Sequence, residues 1–144
     1  LKEAKKNNVN LEKIIFALPL ERSIHLKRLK IADLFLDTYP YNAHTTGSDA
    51  FRMGLPAITL KGKTFASRVL GSILYSNGLN ELIADNAEEY EELAVELASN
   101  KKMYNKLKER VKEKSKNSRL FDNLQFTRDL EDIYTNLINN EKQY

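Results

Sequence analysis

Tyr39-Pro40-Tyr41-Asn42-Ala43-His44-Thr45-Thr46-Gly47-Ser48-Asp49 follows directly on a short apolar run, Leu34-Phe35-Leu36, and leads into Ala50-Phe51-Arg52-Met53. The apolar run reads as a buried strand. The residues after it read as a polar turn and then a helix that continues through Met53. A strand, a turn and a helix start in that order put the turn at the carboxyl end of a parallel strand, where open α/β sheets hold their ligands. Hydroxyls, an imidazole and free backbone N–H groups at a helix N-terminus suit an anion such as a diphosphate. A local reading fits the same residues. Thr46 to Asp49 has the spacing of a capping box, a hydroxyl residue followed three positions on by an acid.

The flanking sequence predicts an alternating α/β chain. Residues 1–8 read as the end of a helix stopped by Asn7-Asn8, and Lys13-Ile14-Ile15-Phe16-Ala17 reads as a short buried strand. Pro19 opens a helix from about Leu20 to Lys30. After the His44 turn come a short helix ending at Gly54, a strand at Ala57-Ile58-Thr59-Leu60 and a helix over Ala66–Ser76, closed by Asn77-Gly78. Leu82-Ile83-Ala84 reads as a fourth strand. Helical spacing then covers Ala87–Ala98, Lys101 to about Lys114, and about Leu124 to Ile138, the last with Phe126, Leu130, Ile133, Tyr134 and Leu137 on one face. Strands alternating with helices imply a parallel sheet with right-handed crossovers. The expected fold is a Rossmann-like α/β layer structure with helices on both faces, one domain over residues 1–144, ending in several helices.

Composition agrees with a globular domain: 144 residues, 42% hydrophobic and 30% charged. A net charge of +3 gives no argument for a nucleic-acid partner. The acidic cluster Glu88-Glu89, Glu91-Glu92 and Glu96, followed by the basic run Lys101 to Lys116, reads as a solvated surface. No apolar run approaches the roughly 18 to 20 residues that span a bilayer, so no membrane association is expected. The chain carries no cysteine, which excludes disulfides and fits a reducing, cytoplasmic setting. It opens Leu1-Lys2-Glu3-Ala4-Lys5-Lys6, without Met and in mid-helix character, and so reads as a piece of a longer protein.

Arg22, His25 and Arg28 recur every third residue on the helix before the Leu34–Leu36 strand, and so share one face. An imidazole between two cations can stack on a nucleobase and hold a ribose or a phosphate; a merely solvated basic face has the same pattern. The two histidines, His25 and His44, have no zinc-like spacing. The chain also has no Asp-x-Asp pair of the kind that holds a divalent ion against a sugar diphosphate. Ser67 and Arg68 open the helix after the third strand, where Ser67 can serve as a simple cap. Asp33 and Asp37 read as structural carboxylates, and Tyr39, Pro40 and Tyr41 as shaping the loop.

Four segments in fixed order carry a resemblance: Ile31-Ala32-Asp33-Leu34-Phe35-Leu36-Asp37-Thr38, His44-Thr45-Thr46-Gly47-Ser48-Asp49-Ala50, Gly54-Leu55-Pro56-Ala57-Ile58-Thr59-Leu60 and Thr64-Phe65-Ala66-Ser67-Arg68-Val69. Together they resemble the C-terminal catalytic half of the O-linked N-acetylglucosamine transferase family, including its bacterial members fused to tetratricopeptide repeats. The likeness continues through Glu81-Leu82-Ile83-Ala84 and Glu89-Tyr90 and covers nearly the whole chain. It implies the C-terminal half of a GT-B fold. It also implies that His25 lies against uracil, that the backbone near Leu20 reads the base edge and that Arg22 and Arg28 border the nucleotide. His44, Thr45 and Thr46 would hold the diphosphate and Asp49 the ribose. Arg22 stands where many relatives have lysine. Relatives that use GDP-fucose tend to lack the histidine, so His-Thr-Thr-Gly favours a UDP donor.

The expected function is the UDP-sugar-binding half of an inverting, metal-independent glycosyltransferase that moves N-acetylglucosamine from UDP-N-acetylglucosamine to protein Ser or Thr. UDP-sugar is then the donor substrate, with no cofactor and no metal. The alternatives are a UDP-glucose-dependent protein glycosyltransferase, a non-catalytic nucleotide-binding regulatory domain, and a plain interaction module. In the family, the acceptor-facing groups and a phosphate-binding lysine lie upstream of this stretch. A complete active site, with its general base, is not expected within it.

Overall fold

The computed structural model describes residues 1–141. Two short helices, α1 (Lys2–Lys6) and α2 (Arg22–Leu29), precede a three-stranded parallel sheet. Its strands lie in the order β1 (Phe35–Leu36), β2 (Ala57–Leu60) and β3 (Ile83–Ala84), joined through α3 (Thr45–Arg52) and α4 (Val69–Ser76). Phe35 lies opposite Ala57 and Leu36 opposite Ile58; Thr59 lies opposite Ile83 and Leu60 opposite Ala84. Three helices follow: α5 (Ala87–Ser99), α6 (Lys101–Lys116) and α7 (Asn123–Glu141). The sheet is flanked by helices, as the alternating pattern predicts.

The core gathers around β2, whose Ala57, Ile58 and Thr59 are buried. Phe51 of α3, Leu70 and Leu74 of α4, Leu82, Leu97 of α5 and Leu107 and Val111 of α6 join Ile58 in one cluster. Burying a side chain such as Phe51 stabilises the fold by roughly 1.5–3 kcal/mol. Phe51 stacks on Phe121 with ring centroids 6.0 Å apart, and the Arg52 guanidinium covers the same Phe121 ring at 4.0 Å. Together these contacts pin the chain after α6 against α3. Gly47 lets α3 approach α4 closely, because a Cβ there would fall 3.0 Å from Leu70 Cδ1. Gly54 and Gly78 follow the ends of α3 and α4 with φ of 71° and 68°, the left-handed conformation that ends helices. Asn100 closes α5 and also caps α6, its side chain accepting from the Met103 N–H.

The strand expected at residues 13–17 does not form. Asn10 accepts from the Glu12 N–H and folds Leu11–Lys13 into a 3-10 turn. Ile14 is extended but pairs with no strand among the described residues. A β run needs a neighbouring ladder for its backbone groups, and no described strand supplies one to residues 13–17. Ile15, Phe16 and Leu18 consequently stay 85%, 74% and 78% exposed. The helix expected from Ala66 begins at Val69, because Ser67 folds back on Thr64. Its Oγ donates to the Thr64 carbonyl at 3.0 Å and accepts the Thr64 N–H at 3.1 Å. Ser67 thus closes a loop turn and caps no helix.

Candidate functional site

The loop between β1 and α3 is built around the carboxylate of Asp37. Asp37 Oδ1 accepts the N–H groups of Thr38 (2.8 Å) and Ala43 (2.7 Å), which curls the chain back so that His44 stands at the start of α3. The Thr38 hydroxyl donates to the Tyr41 carbonyl at 2.7 Å and tightens the same turn. His44 occupies the N-cap position, and no side chain makes a capping bond there. The first-turn N–H groups of a helix have no intrahelical acceptor. At α3 they open beside the exposed Thr45 and Thr46 hydroxyls, an arrangement that favours an anion.

The capping box expected over Thr46 to Asp49 is therefore not formed. The helix begins one residue before Thr46, so the Thr46 side chain is already inside the first turn. Asp49 is 7% exposed and pairs with Arg22 instead, Nη2 to Oδ1 at 3.1 Å. This ion pair joins α2 to α3 and is a contact that sequence reading missed. The two residues lie 27 positions apart, and only the packing of α2 on α3 brings them together.

His44 lies between two aromatic rings. Tyr41 stacks on it at 5.1 Å with planes 12° apart, and Phe65 meets it edge-on at 5.8 Å. Its Nε2 approaches the Ala66 carbonyl at 3.4 Å, which places the ring hydrogen on Nε2 because a carbonyl only accepts. The Asn42 N–H donates to that same carbonyl at 3.0 Å. The loops after β1 and β2 are thereby knitted into one wall.

On α2, Arg28 is a bracket. One guanidinium nitrogen donates to the Leu18 carbonyl at 3.0 Å and the other to His25 Nδ1 at 2.9 Å. Arginine has no acceptor, so the His25 hydrogen sits on Nε2. The bracket orients the imidazole and also fixes the chain just before Leu20, which is 45% exposed. The structure thus makes two groups of the predicted residues: Arg28, His25 and the Leu18–Leu20 segment, and Arg22 with Asp49. His44, Thr45 and Thr46 open the helix that carries Asp49. The site is an open surface at the carboxyl end of β1, with Arg22, Thr45 and Thr46 exposed.

A parallel α/β sheet with an uncapped, hydroxyl-bearing helix start beyond its first strand defines a Rossmann-like module. The family model for "Glycosyl transferase family 41" matches residues 1–130, and the chain belongs to that family. It is 37% identical over 137 residues to an Arabidopsis thaliana protein named probable UDP-N-acetylglucosamine–peptide N-acetylglucosaminyltransferase SEC, covering 94% of this chain and 14% of that protein. It is 36% identical over 121 residues to the Caenorhabditis elegans UDP-N-acetylglucosamine–peptide N-acetylglucosaminyltransferase, covering 84% of this chain and 10% of that one. Among solved structures, a point mutant of the Thermobaculum terrenum O-GlcNAc transferase superposes with a TM-score of 0.86 at 32% identity, over 92% of this chain and 26% of its own. This chain thus spans a small fraction of the relatives' length, and it has the fold of the matching part of the GT-B enzyme.

Proposed function

We propose that this chain is the donor-binding half of a glycosyltransferase that takes N-acetylglucosamine from UDP-N-acetylglucosamine and attaches it to protein Ser or Thr. The observation that carries the proposal is the uncapped N-terminus of α3, presenting His44, Thr45 and Thr46, with the Arg22–Asp49 pair on the same helix face system one turn on. In this reading the diphosphate lies on the α3 N–H groups and the two threonine hydroxyls, and Asp49 accepts from the ribose diol beside Arg22. Uracil lies on the His25 ring that Arg28 orients, its edge along the backbone near Leu20. The names of the Arabidopsis and Caenorhabditis relatives support the donor and the acceptor class.

The mechanism proposed is inverting and metal-independent. As the sugar–phosphate bond breaks, negative charge grows on the leaving diphosphate. Helix-terminal N–H groups and cations already in place stabilise it, each such donor contributing about 3 to 4 kcal/mol in well-studied cases. The acceptor and the general base belong to regions of the protein outside this chain. Calorimetry with UDP, followed by a sugar-transfer assay of the full-length protein, tests the proposal. UDP binding with transfer from UDP-N-acetylglucosamine supports it. Transfer from UDP-glucose alone would replace the donor sugar, and absence of UDP binding would remove the reading altogether.

A further inference from the structure

Behind the anion-facing loop lies a buried polar network that the proposed chemistry does not use. Asp37, Asn42 and Thr59 are 8%, 1% and 0% exposed. Asp37 Oδ1 accepts from the Thr38 and Ala43 N–H groups, and its Oδ2 accepts the Thr59 hydroxyl at 2.6 Å. The Thr59 oxygen in turn accepts from Asn42 Nδ2 at 2.8 Å, and that amide also donates to the Leu60 carbonyl at 2.9 Å. The Tyr90 hydroxyl of α5 donates to the Asp37 carbonyl at 2.9 Å. Strand β2, helix α5 and the loop after β1 therefore meet at one carboxylate.

We infer that Asp37 is the positioning residue of the diphosphate loop: its carboxylate fixes the Ala43 N–H, and through that peptide the placement of His44 and the first turn of α3. The inference rests on the donor-site reading above. Both carboxylate oxygens are engaged, Oδ1 by the Thr38 and Ala43 N–H groups and Oδ2 by the Thr59 hydroxyl. A carboxylate held at both oxygens keeps the Ala43 N–H in one place, and a buried network of this kind holds binding groups in position before a ligand arrives.

The experiment measures the affinities of the full-length protein for UDP and for uridine, alongside thermal melts. Asp37→Ala releases the Ala43 N–H. It is expected to weaken UDP by roughly tenfold or more, about 1.4 kcal/mol, while uridine binding stays the same, because the α2 contacts to the base are untouched. Asp37→Asn keeps one acceptor for the Ala43 N–H and is expected to recover most of the UDP affinity. Thr59→Val removes the donor to Oδ2 and the acceptor of the Asn42 amide but leaves both bonds to Oδ1 in place, and is expected to give a smaller loss, again confined to UDP. A purely structural role would lower the melting temperature without moving the ratio of the two affinities. Equal losses of UDP and uridine, or an unchanged UDP affinity in folded Asp37→Ala, would overturn the inference. Should Asp37→Ala not fold, Thr59→Val decides it by the same ratio: a loss confined to UDP supports the inference, and equal or absent losses overturn it. A wild-type protein that binds no UDP would overturn the donor-site reading itself, and that outcome is visible before any variant is made.

Discussion

In the proposed reading Thr46 and His25 hold opposite ends of the nucleotide, so their variants separate the parts of the ligand. His25→Ala is expected to weaken UDP and uridine alike, by about 1 to 3 kcal/mol, the usual worth of base stacking. Thr46→Val is expected to weaken UDP and spare uridine. Because Thr46 lies inside the first turn and caps nothing, the substitution is expected to leave stability within about 0.5 kcal/mol. The affinities can then be compared without a folding correction, and calorimetry with the two ligands checks both variants. Asp49→Asn is expected to hurt both ligands, since the ribose is common to them; unchanged binding would limit Asp49 to its pairing with Arg22. Arg22, His25 and Arg28 stand out in the sequence by helical spacing and His44 to Asp49 by a short motif, while Leu20 is implied only by the family resemblance. Their partners do not stand out. The Arg22–Asp49 pair and the Arg28 bracket to Leu18 depend on how separate segments pack, and no local pattern encodes that.

Helices and central strands followed from periodicity and punctuation. Asn77-Gly78 ends α4, Gly54 ends α3 and the apolar run Ala57–Leu60 is the buried middle strand. The misreadings fall where a polar side chain redirects the backbone. Asn10 winds Leu11–Lys13 into a turn, and the Ser67–Thr64 bonds delay α4 to Val69. Tyr90 shows how one element supports another. Its phenol ties α5 to the end of β1 through the Asp37 carbonyl, and burial first, then the Asp37 charge, push its ionisation above the ordinary tyrosine value. A phenol raised in this way favours the folded state while it stays protonated. That support is full below the usual tyrosine range and is lost as pH rises through the raised value. Tyr90→Phe is expected to cost about 1 kcal/mol at neutral pH, the worth of one hydrogen bond. It is also expected to lose less further stability than wild type between pH 8 and pH 11. Urea unfolding at the two pH values measures both effects.

Taken whole, the chain in the proposed reading supplies one wall of a site whose chemistry needs a second. No helix among the described residues is long and apolar enough to cross a membrane. Metal independence is open to direct test in the full-length protein: EDTA and added magnesium are expected to leave both UDP affinity and transfer rate unchanged. A strict requirement for a divalent ion would mean that the diphosphate charge is neutralised by something other than the α3 terminus and its neighbouring cations. The bared residues Ile15, Phe16 and Leu18 have a further consequence for handling this chain in isolation. An exposed oily strip is an adhesive surface. Solutions of the isolated chain are expected to scatter more light as concentration rises and as sulfate is added, and less in dilute urea. Replacing Ile15 and Phe16 with lysine is expected to clear them. The colloidal behaviour of the chain would then be governed by side chains that no step of the proposed transfer uses.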